Sequence, residues 1–316
     1  MAEHAARPDI LLLGGPTASG KTALSLHAAQ RLGGEIVNAD SMQVYEGLPI
    51  LSAQPSAEER AAAPHHLFGV IDPAERCSVG RWASLALNAI EAITGRGRIA
   101  ILTGGTGLYF KALLDGLAPA PDIPDAVNAG VAALFRKGGL EALRAEAERL
   151  DPVSAARIAA GDRQRLMRVI AVARAAGRPL SELHTDTTPL FDPARVAGVV
   201  VQPPREGLYA RIEARFEHMI EAGALDEARA IAARELDPDL PAMKAVGLPP
   251  LLAHLRGETD LQTAIETAKR DSRRYAKRQF TWFSNQHPDW DRVESLDPQA
   301  QRAELGRLLS RRFGAL

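Results

Sequence analysis

Apolar residues occur along this chain in two alternating patterns. Short, nearly continuous apolar runs cover residues 10–13, 35–39, 98–102 and 196–201. The longer stretches between them repeat apolar residues every three to four positions, as helices packed on one side do, and they cover residues 23–32, 78–94, 206–222 and 224–235. Continuous apolar strands that alternate with helices predict an α/β fold whose parallel sheet is covered on both faces.

The middle of the chain breaks this alternation. Prolines at positions 119, 121 and 124 interrupt the pattern, and residues 125–183 are Ala-rich and helical in their periodicity. Because an apolar run returns afterwards, we expect a core in two parts that surrounds a helical insertion. The predicted division is residues 1–118 for the first part of the core, 119–190 for the insertion and 191–316 for the return to the core.

Two further segments have weaker patterns. Residues 54–71 contain two prolines and the pair His65-His66, and we expect this segment to be irregular and the histidines to be structural. The polar tail after Pro288 is expected to form one closing helix.

The loop between the first strand and its helix fits the pattern G-x-x-x-x-G-K-[ST]. Its residues are Gly15, Pro16, Thr17, Ala18, Ser19, Gly20, Lys21 and Thr22. After a strand and before a helix, such a loop wraps phosphates with its N–H groups, while Lys21 neutralises them and the Thr22 hydroxyl can hold Mg²⁺. The sequence therefore predicts a P-loop NTPase-like core that binds a diphosphate or triphosphate, ATP included.

Polar groups also follow the next two predicted strands, at the edge of the sheet where ligands bind in open α/β folds. Asp40 comes directly after residues 35–39, which makes it a candidate Mg²⁺ ligand or general base. A helix N-cap would explain Asp40 equally well. A second Gly-rich turn, residues 103–109, follows the third strand and adds the hydroxyl of Thr106.

The densest positive charge lies in a predicted helix at residues 263–283. Its cations are Lys269, Arg270, Arg273, Arg274, Lys277 and Arg278, with Asp271 as the only acid among them. All of them but Lys269 group on one side at helical spacing, and aromatic residues lie in or beside the segment. Basic and aromatic residues together are typical of a nucleic-acid contact, and a solvated basic face with its aromatics in the core is the alternative.

Composition narrows the possible classes of function. A net charge of −1 gives no overall attraction to nucleic acid, so such binding must come from local patches. The single cysteine, Cys77, excludes a disulfide framework and a Cys-based zinc site within one chain. No apolar run reaches about 18 residues, so we expect a cytoplasmic enzyme without membrane contact.

The phosphate-binding loop leaves two classes of enzyme open. A small-molecule kinase is one, but the third strand ends in Thr103 rather than in the acid of a usual Walker B partner. A kinase also has no need of a helix with six cations. The other class holds a diphosphate as leaving group and acts on a nucleic acid, and its loop stabilises the charge that builds in the transition state. A non-enzymatic RNA-binding module would not need Lys21 and Thr22.

Several motifs together resemble the tRNA dimethylallyltransferases, the bacterial tRNA isopentenyltransferases. They are GPTASGKT (15–22), DSMQVY (40–45), GGTGLYFKALL (104–114), QRLMR (164–168), RIEARFEHM (211–219) and YAKRQFTWF (275–283). The resemblance implies transfer of a dimethylallyl group from dimethylallyl diphosphate, with Mg²⁺, to N6 of the adenosine 3′ of the tRNA anticodon. That base would have to be flipped out of the anticodon loop, and we expect the enzyme to be a monomer.

The resemblance also implies roles for residues of this chain. Asp40 is implied as the general base, Arg215 as a cation that offsets leaving-group charge and Thr22 as the Mg²⁺ ligand. All of residues 15–22 would bind the diphosphate. The implied tRNA contacts are Asp40, Ser41, Met42, Gln43, Thr106, Asn128, Gln164, Arg165, Leu166, Met167, Arg168, Tyr275, Lys277, Arg278, Gln279 and Trp282.

Some positions depart from the pattern of that family. They are Gln54, Asn128, Leu248 and Ser284, which replace a frequent Lys, Arg, Tyr and Arg. None of these positions belongs to the P-loop, so the departures concern tRNA contacts rather than the reaction. The nearest alternative is an adenylate isopentenyltransferase, which acts on free nucleotides. The helical insertion and the basic segment favour tRNA, because a nucleotide substrate needs neither.

Overall fold

The computed structural model describes residues 7–117, 121–183 and 187–314. The strands are β1 Ile10–Gly14, β2 Glu35–Asn38, β3 His65–His66, β4 Ala100–Gly104, β5 Val196–Val201 and β6 Asp291–Val293. The helices are α1 Lys21–Leu32, α2 Ala57–Ala62, α3 Val79–Thr94, α4 Gly107–Asp115, α5 Asp125–Leu150, α6 Pro152–Ala156, α7 Arg163–Ala176, α8 Leu180–Leu183, α9 Arg205–Glu221, α10 Ala224–Ala232, α11 Leu248–Leu255, α12 Leu261–Gln286 and α13 Pro298–Phe313. Short 3₁₀ turns cover Pro193–Arg195 and Ala242–Lys244.

The strands form one sheet in the order β3-β2-β4-β1-β5-β6. Every pairing is parallel, and the central strand β1 pairs with β4 on one side and β5 on the other. Because all strands run in the same direction, their carboxyl ends meet at one edge, where the loops after β1, β2 and β4 come together. The predicted α/β fold with a parallel sheet is confirmed.

One face of the sheet is covered by the helix that follows the P-loop and by the last helix of the chain. Leu11 and Leu13 of β1, two residues apart, belong to the same buried cluster as Leu24 of α1 and Leu305 of α13. Side chains two residues apart in a strand point to the same face, so this alternation fixes which residues of β1 meet the helices. The packing anchors the start of α1, and with it the P-loop, against the sheet.

Residues 113–190 form a second compact unit. Its described part is helical and has a core of its own, in which Val131 and Leu143 of α5 pack with Leu166 and Ile170 of α7. The buried carboxylate of Asp151 accepts the backbone N–H of Ser154 and both the N–H and the hydroxyl of Ser181. The unit contains residues 119–190, for which the prolines and the Ala-rich stretch predicted a helical insertion.

The structure corrects two local expectations. The segment predicted to be irregular contains α2 and the short edge strand β3, and the tail contains β6 before its closing helix. A capping box at Ser56 and Glu59 starts α2, and its S-x-x-E spacing was a readable signal. Within the described ranges, no helix has the length and apolar character needed to cross a membrane.

Candidate active site

A cleft of about 420 Å³ opens at the carboxyl edge of the sheet. Its lining includes most of the P-loop (Thr17, Ala18, Ser19, Gly20, Lys21, Thr22), together with Asp40, Gln43, Thr103 and Arg215. Residues from three strand ends and from α9 therefore meet here. The sequence predicted this meeting for the P-loop and Asp40 from the topology, and for Arg215 only through the family resemblance.

The first two residues of the P-loop shape it without lining the cleft. A Cβ at Gly15, whose φ is 149°, would lie 2.4 Å from the carbonyl oxygen of Val201 in β5, so only glycine fits against that strand. The carbonyl of Pro16 accepts a hydrogen bond of 2.6 Å from Lys21 Nζ. Gly15 and Pro16, predicted as diphosphate ligands, thus set the path of the loop.

Two cations face one carboxylate in the cleft. The surrounding protein removes the Lys21 ammonium from bulk water; this burial, opposed by the Asp40 charge and aided by the Arg215 charge, lowers its pKa to about 7. Burial also lowers the pKa of Arg215 to about 10, again opposed by Asp40. Arg215 Nη2 donates to Thr17 Oγ1 at 2.6 Å, which ties this cation to the P-loop. Removal from water strengthens the attraction of these cations for an anion that enters.

Asp40 lies in a turn held by its neighbours. Its N–H donates to Asn38 Oδ1 at 2.8 Å, and Asn38 Nδ2 donates back to the Asp40 carbonyl at 3.0 Å. Asp40 Oδ1 accepts the N–H of Met42 at 3.0 Å, while no described group donates to Oδ2. Turns rather than a helix follow residue 40, so the N-cap alternative is wrong and one carboxylate oxygen remains available.

The second Gly-rich turn fastens the residues after Asp40. Ser41 N–H donates to Thr106 Oγ1 at 2.9 Å, and the Thr106 hydroxyl is 3.2 Å from Ser41 Oγ. A Cβ at Gly104 would lie 2.0 Å from the carbonyl oxygen of Ala39, so the two turns are in backbone contact. Thr106 therefore holds the Asp40 turn in place. Its predicted contact with tRNA is a separate role.

Gln279 of α12 joins the two turns. Its Oε1 accepts the N–H of Thr17 at 2.8 Å, and its Nε2 donates to the Gly105 carbonyl at 2.9 Å. The side chain is only 5% exposed. Both ends of the amide therefore bind the protein here, and the contact of Gln279 with tRNA stays a prediction.

The last helix adds a second glutamine that the sequence analysis missed. Gln301 Nε2 donates to the carbonyl of Ser19 in the P-loop at 2.9 Å and to that of Ser295 at 2.8 Å. Gln301 Oε1 would lie 2.6 Å from a Cβ at Gly20. No local pattern marks this residue, because its partner lies 282 positions earlier in the chain.

A small cavity of about 50 Å³ adjoins the cleft and has both polar and apolar lining. It shares Thr17, Asp40, Ser52 and Arg215 with the cleft, and its apolar lining residues are Met42, Leu51, Ile212, Phe216, Met219 and Val246. Tyr275 also lines this cavity, and burial first, then the Asp40 carboxylate, raise the pKa of its hydroxyl far above the usual value. The sequence predicted the apolar residues of α9 only as core.

Other predicted contacts near the cleft have structural partners too. Gln43 lines the cleft and donates to the carbonyls of Ser52 and Ala53 at 3.0 and 2.7 Å. Trp282 packs so closely on the start of α4 that a Cβ at Gly107 would lie 2.2 Å from its ring. Both side chains are half-buried, and each helps to shape the loops around the cleft.

The basic face of α12 is narrower than its sequence predicts. Lys269 is buried and paired with Glu217 of α9 and with Glu266, at 2.8 and 2.9 Å, and Arg273 is paired with Glu213 of α9. Lys277 and Arg278 are exposed, and the described part of the chain places no carboxylate within 4 Å of either. Acidic residues of α9 thus neutralise part of the basic face predicted for α12. The sequence pattern of α12 alone does not show these acids.

The predicted tRNA contacts in the helical unit divide by exposure. Asn128, Gln164, Arg165 and Arg168 are exposed on α5 and α7. Met167 is half-buried against the core of the unit, and Leu166 lies within that core at 0% exposure. The side chain of Leu166 therefore packs inside the unit, and the contact of this residue with tRNA stays a prediction.

Comparison with known protein families gives two matches. The model described as IPP transferase matches residues 43–286, and the model described as Isopentenyl transferase matches residues 8–63. A tRNA dimethylallyltransferase of Maricaulis maris (strain MCS10) is 60% identical to this chain, across 95% of this chain and 97% of its own length. The matches span the P-loop, the Asp40 turn, the insertion and α12.

Solved structures agree with this result. The tRNA isopentenylpyrophosphate transferase of Bacillus halodurans superposes with a TM-score of 0.69 at 33% identity, covering 97% of each chain. A eukaryotic dimethylallyltransferase acting on tRNA superposes with a TM-score of 0.81 at 25% identity, over 96% of this chain and 78% of that one. The P-loop NTPase-like fold predicted from the sequence is shared with these proteins.

Proposed function

The chain belongs to the IPP transferase family, and we propose that its cleft transfers a dimethylallyl group from dimethylallyl diphosphate to N6 of the adenosine 3′ of the tRNA anticodon. Membership of the family makes the chain a tRNA-modifying prenyltransferase. The observation that carries the finer proposal is a cationic cleft that adjoins a small cavity partly lined by apolar side chains, with Asp40 lining both.

The diphosphate fits the P-loop side of the cleft. Lys21 and Arg215 supply positive charge, and α1 begins at Lys21, so its N-terminal N–H groups and helix dipole favour an anion. The N–H of Thr17 is occupied by Gln279, which leaves the later residues of the loop to contact phosphate oxygens.

The dimethylallyl group fits the small cavity beside it. Ile212, Phe216 and Met219 of α9 present hydrocarbon there, and Arg215 is the one cation among the lining residues from this helix. Burying a five-carbon group at about 0.8 kcal/mol per CH₂ favours this placement over water. Because Asp40 and Arg215 line both spaces, the bond between the prenyl carbon and the diphosphate oxygen would lie beside them.

The reaction moves negative charge onto the departing diphosphate and removes a proton from N6. Residues of the cleft can assist both steps. As the N6 nitrogen forms a bond to C1 of the prenyl group, the C1–O bond breaks and its electron pair leaves with the diphosphate. Lys21 and Arg215 stabilise that developing charge, as preorganised cations do in a water-poor site. Asp40 Oδ2, free of described donors, accepts the proton that N6 loses, while Oδ1 stays bound to the Met42 N–H.

Thr22 is the residue that would hold Mg²⁺. It lines the cleft beside Lys21, and its hydroxyl is a hard oxygen donor with no partner among the described residues. Those residues contain no cluster of three or more His, Cys, Asp or Glu side chains, which suits an ion that keeps its waters and binds mainly through substrate phosphates. When bound, Mg²⁺ would neutralise diphosphate charge.

The acceptor is a tRNA rather than a free nucleotide. The helical unit has exposed Arg165 and Arg168, and α12 has exposed Lys277 and Arg278; none of these four residues lines the cleft. A free nucleotide would leave both without a ligand, whereas an RNA arm extends beyond the cleft and carries the negative charge that they attract. This observation favours tRNA over the adenylate and kinase alternatives.

The test is incorporation of labelled dimethylallyl diphosphate into unmodified tRNA, run beside AMP and ADP. We expect label in tRNA only, at the adenosine 3′ of the anticodon, and its loss when Mg²⁺ is chelated. Label in the free nucleotides would identify an adenylate enzyme instead. Consumption of ATP with no label in either acceptor would identify a kinase.

A further inference from the structure

A second basic surface lies outside the cleft. A groove of about 590 Å³ runs between α1 and α13, and its lining includes His27, Arg31, Arg302, Gly306 and Arg307. It shares no lining residue with the cleft of the P-loop. Its charged groups lie in the N-terminal and C-terminal parts of the sequence and were not singled out by any motif.

The arginines of this groove lack acidic partners. In the described ranges no carboxylate lies within 4 Å of Arg31, Arg302 or Arg307, and Arg31 Nη2 donates only to the hydroxyl of Ser310 at 3.0 Å. By contrast, Arg311 and Arg312 of the same helix α13 are both paired with Asp291. An unpaired, exposed guanidinium presents a planar set of donors that matches phosphate oxygens.

Two further features show that Arg31 and Arg302 lie near His27 in the groove. Burial lowers the pKa of His27, and the nearby charges of Arg302 and Arg31 contribute to the same shift. His27 Nε2 is buried and has no hydrogen-bond partner in the described structure. A Cβ at Gly306 would lie 3.4 Å from Arg31 Nη1, so the small residue leaves this guanidinium room in the groove.

The groove begins near the proposed active site. α1 starts at Lys21, and Gln301 at the start of α13 bonds to Ser19 of the P-loop. Arg31 follows Lys21 by ten positions, about 15 Å along a helix that rises 1.5 Å per residue. A nucleic-acid arm that reaches the cleft is long compared with this distance. Guanidinium groups spread along two helices suit a repeating polyanion better than a single enclosed phosphate.

We propose that the groove between α1 and α13 binds the phosphate backbone of the substrate tRNA, outside the cleft. The RNA substrate comes from the proposed function, and the residues come from the groove itself. The contact is with the backbone, so it adds affinity without reading sequence.

The test compares two variants of α1 and α13 in binding to full-length unmodified tRNA, without donor, from 50 to 300 mM salt. For Arg31→Gln/Arg302→Gln/Arg307→Gln we expect Kd to rise about tenfold or more at 100 mM salt. The slope of log Kd against log salt should fall by about two to three, near 0.9 for each lost phosphate contact. The control Arg311→Gln/Arg312→Gln should keep the wild-type slope. Equal slopes in the triple variant and wild type would overturn the proposal.

A second measurement uses the wild-type protein and so does not depend on folding of the variant. Phenylglyoxal modifies exposed arginines, and mass mapping shows which ones bound tRNA protects. We expect protection of Arg31, Arg302 and Arg307 and continued modification of any arginine outside RNA contact. Full modification of these three in the presence of saturating tRNA would contradict the proposal. Neither measurement requires turnover, so failure of prenyl transfer would be recognised separately.

Discussion

The cations of the cleft and those of the surface differ in how the protein holds them. Lys21 and Arg215 are enclosed, and loss of water lowers the pKa of the first to about 7 and of the second to about 10. Lys277 and Arg278 of α12 are exposed and have no ion pair in the described structure. The first pair has lost hydration that an anionic ligand can replace, whereas the second is available to any nearby phosphate.

This difference implies that the cleft cations act in catalysis and that the surface cations contribute to tRNA affinity. Charges removed from water interact strongly at short range and are little screened by salt. Exposed charges are screened over about 8 Å at physiological ionic strength, so their contribution falls steeply as salt rises. We therefore expect cleft variants to lose turnover at any salt concentration, and surface variants to lose tRNA affinity in a salt-dependent way.

The largest expected effect follows from removing a cleft cation. Arg215→Gln should lower kcat by about 10²–10³-fold, since one preorganised group that stabilises leaving-group charge contributes on that scale. The tRNA Kd and its salt slope should stay within twofold of wild type. Steady-state kinetics and filter binding check this, with Arg205→Gln at the exposed start of the same helix as control. A loss of tRNA affinity as large as the loss of kcat would contradict the separate roles of the cleft and surface cations.

A smaller effect is expected on the pH dependence of diphosphate binding. Because the pKa of Lys21 in the free protein is about 7, its ammonium is charged below pH 7 and neutral above it. The affinity for inorganic diphosphate should therefore weaken by up to about tenfold per pH unit above 7, relative to Lys21→Arg, whose side chain stays charged. Calorimetry from pH 6 to 9 compares the two proteins and cancels the titration of diphosphate itself. Parallel curves for the two proteins would contradict the lowered pKa.

The smallest expected effect is on tRNA affinity and comes from removing exposed cations of α12. Arg274→Gln/Lys277→Gln/Arg278→Gln should raise the tRNA Kd about tenfold at 100 mM salt and reduce the salt slope by about two to three. At saturating tRNA, kcat should stay within twofold. Arg273→Gln is the matched control, because Glu213 already neutralises that cation. An unchanged slope in the triple variant would make this face an ordinary solvated surface.

The sequence predicts the local parts of this site well. The spacing from Gly15 to Thr22 identifies the P-loop, and the alternation of strands and helices places Asp40 at the same sheet edge. Both follow from interactions between residues close in sequence, which periodicity and turn chemistry record. The strands β3 and β6 have only two and three residues, too few for a pattern to show.

The contacts that join distant segments were beyond sequence reasoning. Gln279 and Gln301 fasten the P-loop across 262 and 282 positions, and neither glutamine differs locally from a surface residue. The same limit explains the basic face of α12, since Arg273 and Lys269 find their acids on α9. The three-dimensional packing decides which charges remain free.

The most direct test of the account is the separation of turnover from binding in Asp40→Asn. Asparagine keeps an oxygen that can accept the Met42 N–H, so the turn is preserved, but the amide cannot take a proton from N6. We predict that kcat falls at least about 10²-fold, while tRNA and diphosphate affinities stay within about threefold of wild type. Turnover within a few-fold of wild type would show that Asp40 only holds its turn, and would contradict the assignment of the base.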